Sequence, residues 1–293
     1  SHHHILLDGW SLPLVLADVA SAYEAEANGR AWAPPARPGY DAYLGWLATR
    51  DEEAGARFWR EALAGAQPTR IGRAGAQGAG TATLVTAEMS REATRSLTRV
   101  AERGRATLHS VVLAAWSLLL GQRCASRDLL FGVVMSLRPD EIPRSERLVG
   151  LCLNTLPLRV RFAEDAELPA LFRQVQRNLV ETYEHAAHPL GRIRAWAGAG
   201  DALFDSIVVF ENYPGDRTGQ PLGGHGALRV VRAVESTEFA VSLTVLPGDR
   251  LTFELTYQPH ALTPAEATGL VRHLARLLER IARGGDPDGG ENP

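Results

Sequence analysis

Three consecutive histidines occupy positions 2 to 4, and an acid-glycine pair, Asp8-Gly9, follows four residues after the last of them. An imidazole with an ordinary pKa near ~6.5 can accept or donate a proton close to neutral pH. A histidine at the end of an extended segment, followed by a glycine where the backbone turns, can hold one ring nitrogen toward a cavity. Metal binding fits this stretch poorly. Adjacent histidines on an extended chain point to opposite faces, and no other cluster offers a clear third ligand. A purification-tag remnant is a competing reading, but a tag would not run straight into structure. Here Ile5-Leu6-Leu7 is expected as a buried apolar strand, Asp8-Gly9 as a tight turn, and Ser11-Leu12-Pro13 as a capped helix start.

Composition limits what such a site could serve. The chain of 293 residues is 45% hydrophobic, enough for one large domain or two smaller ones. Its longest apolar runs, such as Val111 to Leu120, fall far short of the roughly 20 residues that a membrane span needs. Two cysteines, Cys124 and Cys152, cannot staple a domain of this size. The 31 basic and 34 acidic residues give a net charge of −3, so there is no electrostatic footprint for nucleic acid. All the basic residues are Arg, which reads as coding bias in a GC-rich bacterium. No signal or transit peptide precedes the histidines, which makes the cytoplasm the expected compartment.

The elements that must position the histidines follow from periodicity. Leu14, Leu16, Val19, Ala20 and Tyr23 recur at helical spacing. Ala31 to Gly39, with three prolines, is a loop. A helix is expected from Tyr40 to about Leu63, with a break at Asp51-Glu52-Glu53. Residues 67–80 lack an apolar period and read as a linker. Beyond them come a strand at Ala82–Ala87 and helices at Ser90–Arg103 and Thr107–Gln122. Strands at Leu129–Met135 and Leu153–Phe162 precede helices at Leu168–Tyr183 and Pro189–Trp196. Strands return at Phe204–Asn212, Leu228–Val234, Ala240–Val245 and Leu251–Tyr257. A final helix opens at Thr263-Pro264-Ala265-Glu266 and runs to about Ala282, and the tail 284–293 reads as disordered. Helical runs separated by adjacent strands predict an α+β sandwich. Trp10, Trp46, Trp59 and Trp196 are expected as core aromatics, Cys152 as buried packing and Glu211 as a solvated strand end.

Read in order, these segments resemble one family. His3-His4-Ile5-Leu6-Leu7-Asp8-Gly9 matches the HHxxxDG motif of the condensation domains of non-ribosomal peptide synthetases. Tyr40-Asp41-Ala42-Tyr43-Leu44-Gly45-Trp46 resembles the family's Tyr-x-x-Tyr-x-x-Trp helix. Gly132-Val133-Val134-Met135-Ser136-Leu137-Arg138-Pro139 is similar to its Gly-x-x-x-Ser-x-Arg-Pro strand. Gly150 to Arg159 is similar to its Gly-x-x-x-Asn-Thr-x-x-x-Arg segment. His185-Ala186-Ala187-His188-Pro189 resembles its His-Gln-x-x-Pro motif, with Ala186 in place of Gln. Leu203-Phe204-Asp205 through Asn212 matches a late Leu-Phe-Asp…Asn strand, although the Arg-Asp-x-Ser-Arg-Asn part before it is absent.

The resemblance implies a chloramphenicol acetyltransferase-like α+β sandwich and amide-bond formation between two carrier-tethered thioesters. His4 is the residue carried over as catalytic, as a general base or by positioning the amine. His3, Asp8 and Gly9 support it, with Asp8 ion-paired to an Arg expected in an upstream segment that the chain lacks. Trp10, Ser136 and Asn154 are expected near the substrate tunnel or the junction of two lobes. His185 and His188, at a spacing that would also suit a metal pair, are expected to play a structural part at a helix entry. No metal or soluble cofactor is implied, since phosphopantetheine arrives covalently on donor and acceptor peptidyl carrier domains, with an adenylation domain adjacent. Epimerisation domains share HHxxxDG but lack the Asn-Thr-x-x-x-Arg segment, and heterocyclisation domains replace the two His with Asp. The expected layout is an N-terminally truncated one. Residues 1–66 would be the end of an N-terminal lobe, 67–80 a linker and 81–283 a nearly complete C-terminal lobe. On that expectation the isolated chain would have little activity and could act as a non-catalytic carrier-docking module.

Overall fold

The computed structural model describes residues 3, 5–73, 81–199, 203–211, 220–221, 227–228 and 237–284, with the pairs 220–221 and 227–228 described by their backbone alone. The chain forms two compact units. One comprises Ser1–Asp51, Ser136–Asn154 and Asn212–Glu235; the other comprises Glu52–Met135, Thr155–Glu211 and Ser236–Pro293. The units part between residues 51 and 52, and not within the stretch read as a linker. That stretch is described as far as residue 73, and there it is tied into the second unit. The Thr69 hydroxyl accepts the Leu130 N–H at 2.8 Å, and the Ile71 and Gly72 N–H groups donate to the Asp205 carboxylate at 2.9 Å each. Residues 74–80, like 285–293 of the expected tail, lie outside the described residues.

The first unit holds helices α1 (Ser11–Ala27) and α2 (Tyr40–Ala48) and a short ribbon pairing β5 (Gln220–Pro221) with β6 (Ala227–Leu228). Residues 229–234 of the strand expected at Leu228–Val234 lie outside the described residues. Along α2, Tyr40, Tyr43 and Trp46 recur every three residues, so their rings line one face. Tyr40 and Tyr43 have centroids 5.5 Å apart, and Tyr43 stacks on Trp46 at 5.9 Å. Arg50 continues the ladder, its guanidinium 4.5 Å from the Trp46 ring centroid.

The second unit is built on a six-stranded sheet, β1-β8-β7-β4-β2-β3. Its strands are β1 (Thr83–Glu88), β2 (Asp128–Ser136), β3 (Leu153–Arg161), β4 (Ser206–Phe210), β7 (Val241–Leu246) and β8 (Thr252–Tyr257). β2, β4 and β7 run parallel, and β8 turns back antiparallel between β7 and β1. In β8 the burial alternates: Phe253, Leu255 and Tyr257 are buried, while Thr252, Glu254 and Thr256 lie between. One face of that strand therefore meets the core. Helix α5 (Leu108–Cys124) is apolar all round and is buried from Ser110 to Ser117 without interruption, as such a helix must be. Helices α4 (Arg91–Arg103), α6 (Leu168–Glu184) and α8 (Pro264–Ala282) complete the packing.

Capping at α4 and α8 is as the sequence expects. The Ser90 side chain accepts the Ala93 N–H, and Thr263 and Glu266 form a reciprocal capping box. The long helix expected from Tyr40 to Leu63 is two helices. α2 ends at Ala48 and α3 (Glu52–Ala62) begins just after Asp51, at the break the acidic run suggests.

Candidate active site

The histidine motif enters α1 through a loop. The Leu6 N–H donates to the His3 carbonyl at 3.0 Å, and the Ser11 N–H to the Asp8 carbonyl at 3.1 Å. The second of these closes the expected Asp8-Gly9 turn. Gly9 nevertheless keeps out of the left-handed region, so the turn does not depend on a conformation only glycine tolerates. The segment before it is no buried strand: Ile5 is 65% and Leu6 62% exposed, on a turn. Two apolar residues alone do not make a strand when no neighbour pairs with them. The exposed His3 takes the Ile5 N–H on Nδ1 at 3.1 Å, which puts the proton of its neutral ring on Nε2. His4 lies outside the described residues.

Asp8 is the anchor of this loop. It is 2% exposed, and both carboxylate oxygens are fully engaged. Oδ1 accepts the Ser11 N–H at 2.8 Å and lies 2.7 Å from the Ser11 hydroxyl; Oδ2 accepts the Cys152 N–H at 3.0 Å. Arg138 Nη2 stands 2.9 Å from Oδ1 and 2.9 Å from Oδ2. The partner of Asp8 is therefore Arg138, inside the Ser-Leu-Arg-Pro run, and not an arginine upstream of the motif. The fold brings position 138 against position 8, a pairing that spacing along the chain cannot announce. The side chains of Arg138 and Asp8 are 6% and 0% exposed. Neither charge can be removed alone without stranding the other in a dry environment.

The sequence points to Ser11 as the helix cap, but Asp8 performs that task by taking the first-turn N–H, and the carboxylate suits the positive end of α1. The Ser11 hydroxyl turns instead to residues 148–152. It accepts the Gly150 N–H at 3.0 Å, and its one proton goes to Asp8 Oδ1 or to the Gly150 carbonyl 2.9 Å away. Ser136 accepts from Arg138 Nη1 at 3.0 Å, which fixes the guanidinium plane. Trp10 donates from Nε1 to the Glu146 carbonyl at 2.7 Å, and its ring centroid lies 5.3 Å from the Arg138 guanidinium carbon. Trp10 is half-buried, as are Trp46 and Trp196; of the four tryptophans expected in the core, Trp59 is fully inside. Asn154 is the second residue of β3, half-buried. Asp8, Trp10 and Ser136 thus meet around Arg138. Arg138, Ser11, Gly150 and Tyr40 are not among the site residues read from the sequence, although three of them stand inside its motifs. An arginine in an otherwise apolar run is the available signal, because a buried guanidinium requires an acid.

The chemistry of this cluster is one of holding. An aspartate whose oxygens take two backbone N–H groups and a guanidinium has no lone pair directed at a substrate and is no general base. Burial pushes the Cys152 thiol up to about 11, so it carries no thiolate at neutral pH.

His185 and His188 are packing groups in the second unit. His185 stacks on Phe58 at 4.0 Å and receives the Trp59 Nε1–H on its carbonyl at 3.2 Å. His188 meets Trp196 edge-on at 5.0 Å. Among the described residues no group of three or more His, Cys, Asp or Glu is placed to hold a metal. No helix of the described residues is long and apolar enough to cross a membrane.

A family model described as the condensation domain matches residues 1–289. Chondramide synthase cmdD of Chondromyces crocatus is 36% identical over 286 residues, covering 96% of this chain and 7% of that protein. A linear gramicidin synthase of Brevibacillus parabrevis is 34% identical over 290 residues, covering 97% of this chain and 6% of its own length. The chain thus spans a small part of these synthases. The first condensation domain of the calcium-dependent antibiotic synthetase superposes with a TM-score of 0.76 at 21% identity, over 97% of this chain and 63% of that one. That likeness carries the chloramphenicol acetyltransferase-like α+β fold. With all but the last four of its residues matched by that family model, the chain belongs to the condensation domain family.

Proposed function

We propose that the chain forms a peptide bond between an acyl or aminoacyl donor and an aminoacyl acceptor, each held as a thioester on a carrier protein. The acceptor α-amine attacks the donor carbonyl, a C–N bond forms and the C–S bond breaks through a tetrahedral intermediate. The amine loses a proton, and the departing phosphopantetheine sulfur gains one. His4 is the group assigned to that proton or to holding the amine in line. The observation that carries this reading is the buried Asp8–Arg138 pair, which ties the loop bearing the histidines to residues 136–154 and leaves the imidazoles as the titratable groups of the motif. Membership of the condensation family supports it, as do relatives named as synthases of gramicidin and chondramide.

On this reading phosphopantetheine is delivered covalently by donor and acceptor carrier domains, and the domain itself binds no cofactor. An adenylation domain would be its neighbour, in a bacterial cytoplasm where Cys124 and Cys152 stay reduced. The test supplies the protein carrying this domain with aminoacyl-loaded donor and acceptor carriers and follows the dipeptidyl product by mass spectrometry. Product is expected, and His4→Ala should lower its rate at least ~100-fold. Turnover unaffected by His4→Ala removes the assigned role, and absence of product with both carriers loaded supports a docking module instead.

A further inference from the structure

Tyr40 stands 36 positions from the histidine at position 4, yet it touches the residues that hold that motif in place. Residues 148–152, outside any helix or strand, form a strap with two working sides. Toward the motif, the Gly150 N–H meets Ser11 Oγ and the Cys152 N–H meets Asp8 Oδ2, both at 3.0 Å. From α2, the Tyr40 hydroxyl donates to the Leu151 carbonyl at 2.8 Å. The Tyr40 ring lies so close to Gly150 that a Cβ there would stand 2.2 Å from ring Cδ2, well inside contact distance. Gly150 is buried, so the chain cannot step aside into solvent. Burial, with the negative charge of Asp8 adding to it, raises the Tyr40 pKa above the ordinary tyrosine value, and the phenol stays a donor. Tyr43 and Trp46 stack behind Tyr40 and stiffen it.

We infer that Tyr40 is a positioning residue for the histidine motif. Its ring and hydroxyl brace the strap, and the strap passes that support through Gly150 and Cys152 to Ser11 and Asp8. The inference rests on the reading of the histidine motif as the reacting centre. It explains physically why a tyrosine on α2 and a glycine in the strap occur together: the ring fills the volume that a side chain at 150 would need.

The test has one arm that needs no activity. Amide hydrogen exchange is followed in the wild type, Tyr40→Phe, Tyr40→Ala and Gly150→Ala. Tyr40→Ala is expected to speed exchange at Ser11, Gly150 and Cys152 at least ~10-fold relative to β7 and β8, and Tyr40→Phe by less. In single-turnover condensation, Tyr40→Ala should lower the rate about 100-fold with acceptor-carrier affinity held within ~2-fold, since a displacement of about 1 Å is enough for such a loss. Gly150→Ala should fall as far, and adding Tyr40→Ala to it should restore part of the rate, because the second change removes the ring that the new Cβ strikes. Unchanged exchange at the three amides in folded Tyr40→Ala overturns the brace whether or not the protein forms peptide bonds. A folded Tyr40→Ala with full rate, or one whose loss lies wholly in carrier affinity, overturns it as well. If Tyr40→Ala does not fold, absence of any restoration of Gly150→Ala by Tyr40→Leu decides against it.

Discussion

Two arginine–aspartate pairs, one in each unit, share their chemistry and differ in their surroundings. Arg138 and Asp8 are both inside, and every polar atom of the carboxylate is engaged by the chain. In the second unit Arg159 grips Asp128 with a two-point contact, Nε to Oδ1 at 2.7 Å and Nη2 to Oδ2 at 2.6 Å. Arg159 is 11% exposed, but Asp128 is 38% exposed, so water shares that carboxylate. Arg159 also donates from Nη1 to the carbonyls of Ala62 and Ala64 at 3.1 and 2.8 Å, closing the end of α3. The same two functional groups therefore do different things. One pair is a sealed core for the loop that leads into α1, whereas the other is a latch between elements that can be solvated when opened. Burial of the acid decides which.

The largest effect that would break this contrast comes from Arg138. Arg138→Leu leaves the Asp8 carboxylate buried without its counter-charge and should destabilise the protein by about 3–5 kcal/mol, read from urea unfolding. A loss under ~1 kcal/mol would mean that water reaches Asp8 and the two pairs are alike. Arg159→Leu should cost less, about 1.5–3 kcal/mol, because Asp128 is rehydrated and the chief loss is of charged hydrogen bonds. Smallest of all is Glu52→Gln at the exposed Arg192–Glu52 contact, where both side chains are more than half exposed. That change should move stability by no more than ~0.5 kcal/mol.

Acid sharpens the comparison from another direction. Burial holds the imidazole of His109 down to about 4, from an ordinary value of 6.5. In the unfolded chain it binds its proton near pH 6.5, and in the folded chain only near 4. Stability is therefore lost as pH falls through that window, and His109→Phe should flatten the slope of unfolding free energy against pH there. The Arg159 guanidinium holds the Asp128 carboxyl below its ordinary value of 3.8. Its contribution is complete above pH 3.8 and disappears only below it, so Asp128→Asn should leave the higher window unchanged. A slope between pH 6.5 and 4 that survives His109→Phe would place the acid sensitivity elsewhere.

Much of the fold can be read from the chain, and the site only in part. Ser90 and the Thr263–Glu266 box mark helix starts because capping is local chemistry, settled within three or four residues. The break between α2 and α3 shows itself at Asp51-Glu52-Glu53 for the same reason. Asp8–Arg138 and Tyr40–Gly150 join positions more than a hundred residues apart, and periodicity carries no information about such pairs. Ile5 and Leu6 mislead because hydrophobicity alone does not create a strand partner. Residues 69–72 lack apolar period and so resemble a linker, yet they are fastened through backbone groups and Asp205, which composition does not register. The motif residues themselves are visible along the chain, but what they hold in common, a buried carboxylate, is not.

Asp8→Asn bears most directly on the claim that the sealed pair fixes the histidine loop, since it keeps the side chain's size and removes the charge that Arg138 answers. The measurement is the single-turnover rate of dipeptide formation from loaded donor and acceptor carriers, made on variant protein shown by circular dichroism to be folded. A rate about 100-fold below the wild type is predicted, with carrier affinity unchanged, because the histidine loop loses its fixed geometry. A folded Asp8→Asn protein that turns over within ~2-fold of the wild type would contradict the claim, showing that the sealed pair does not hold the reacting groups in place.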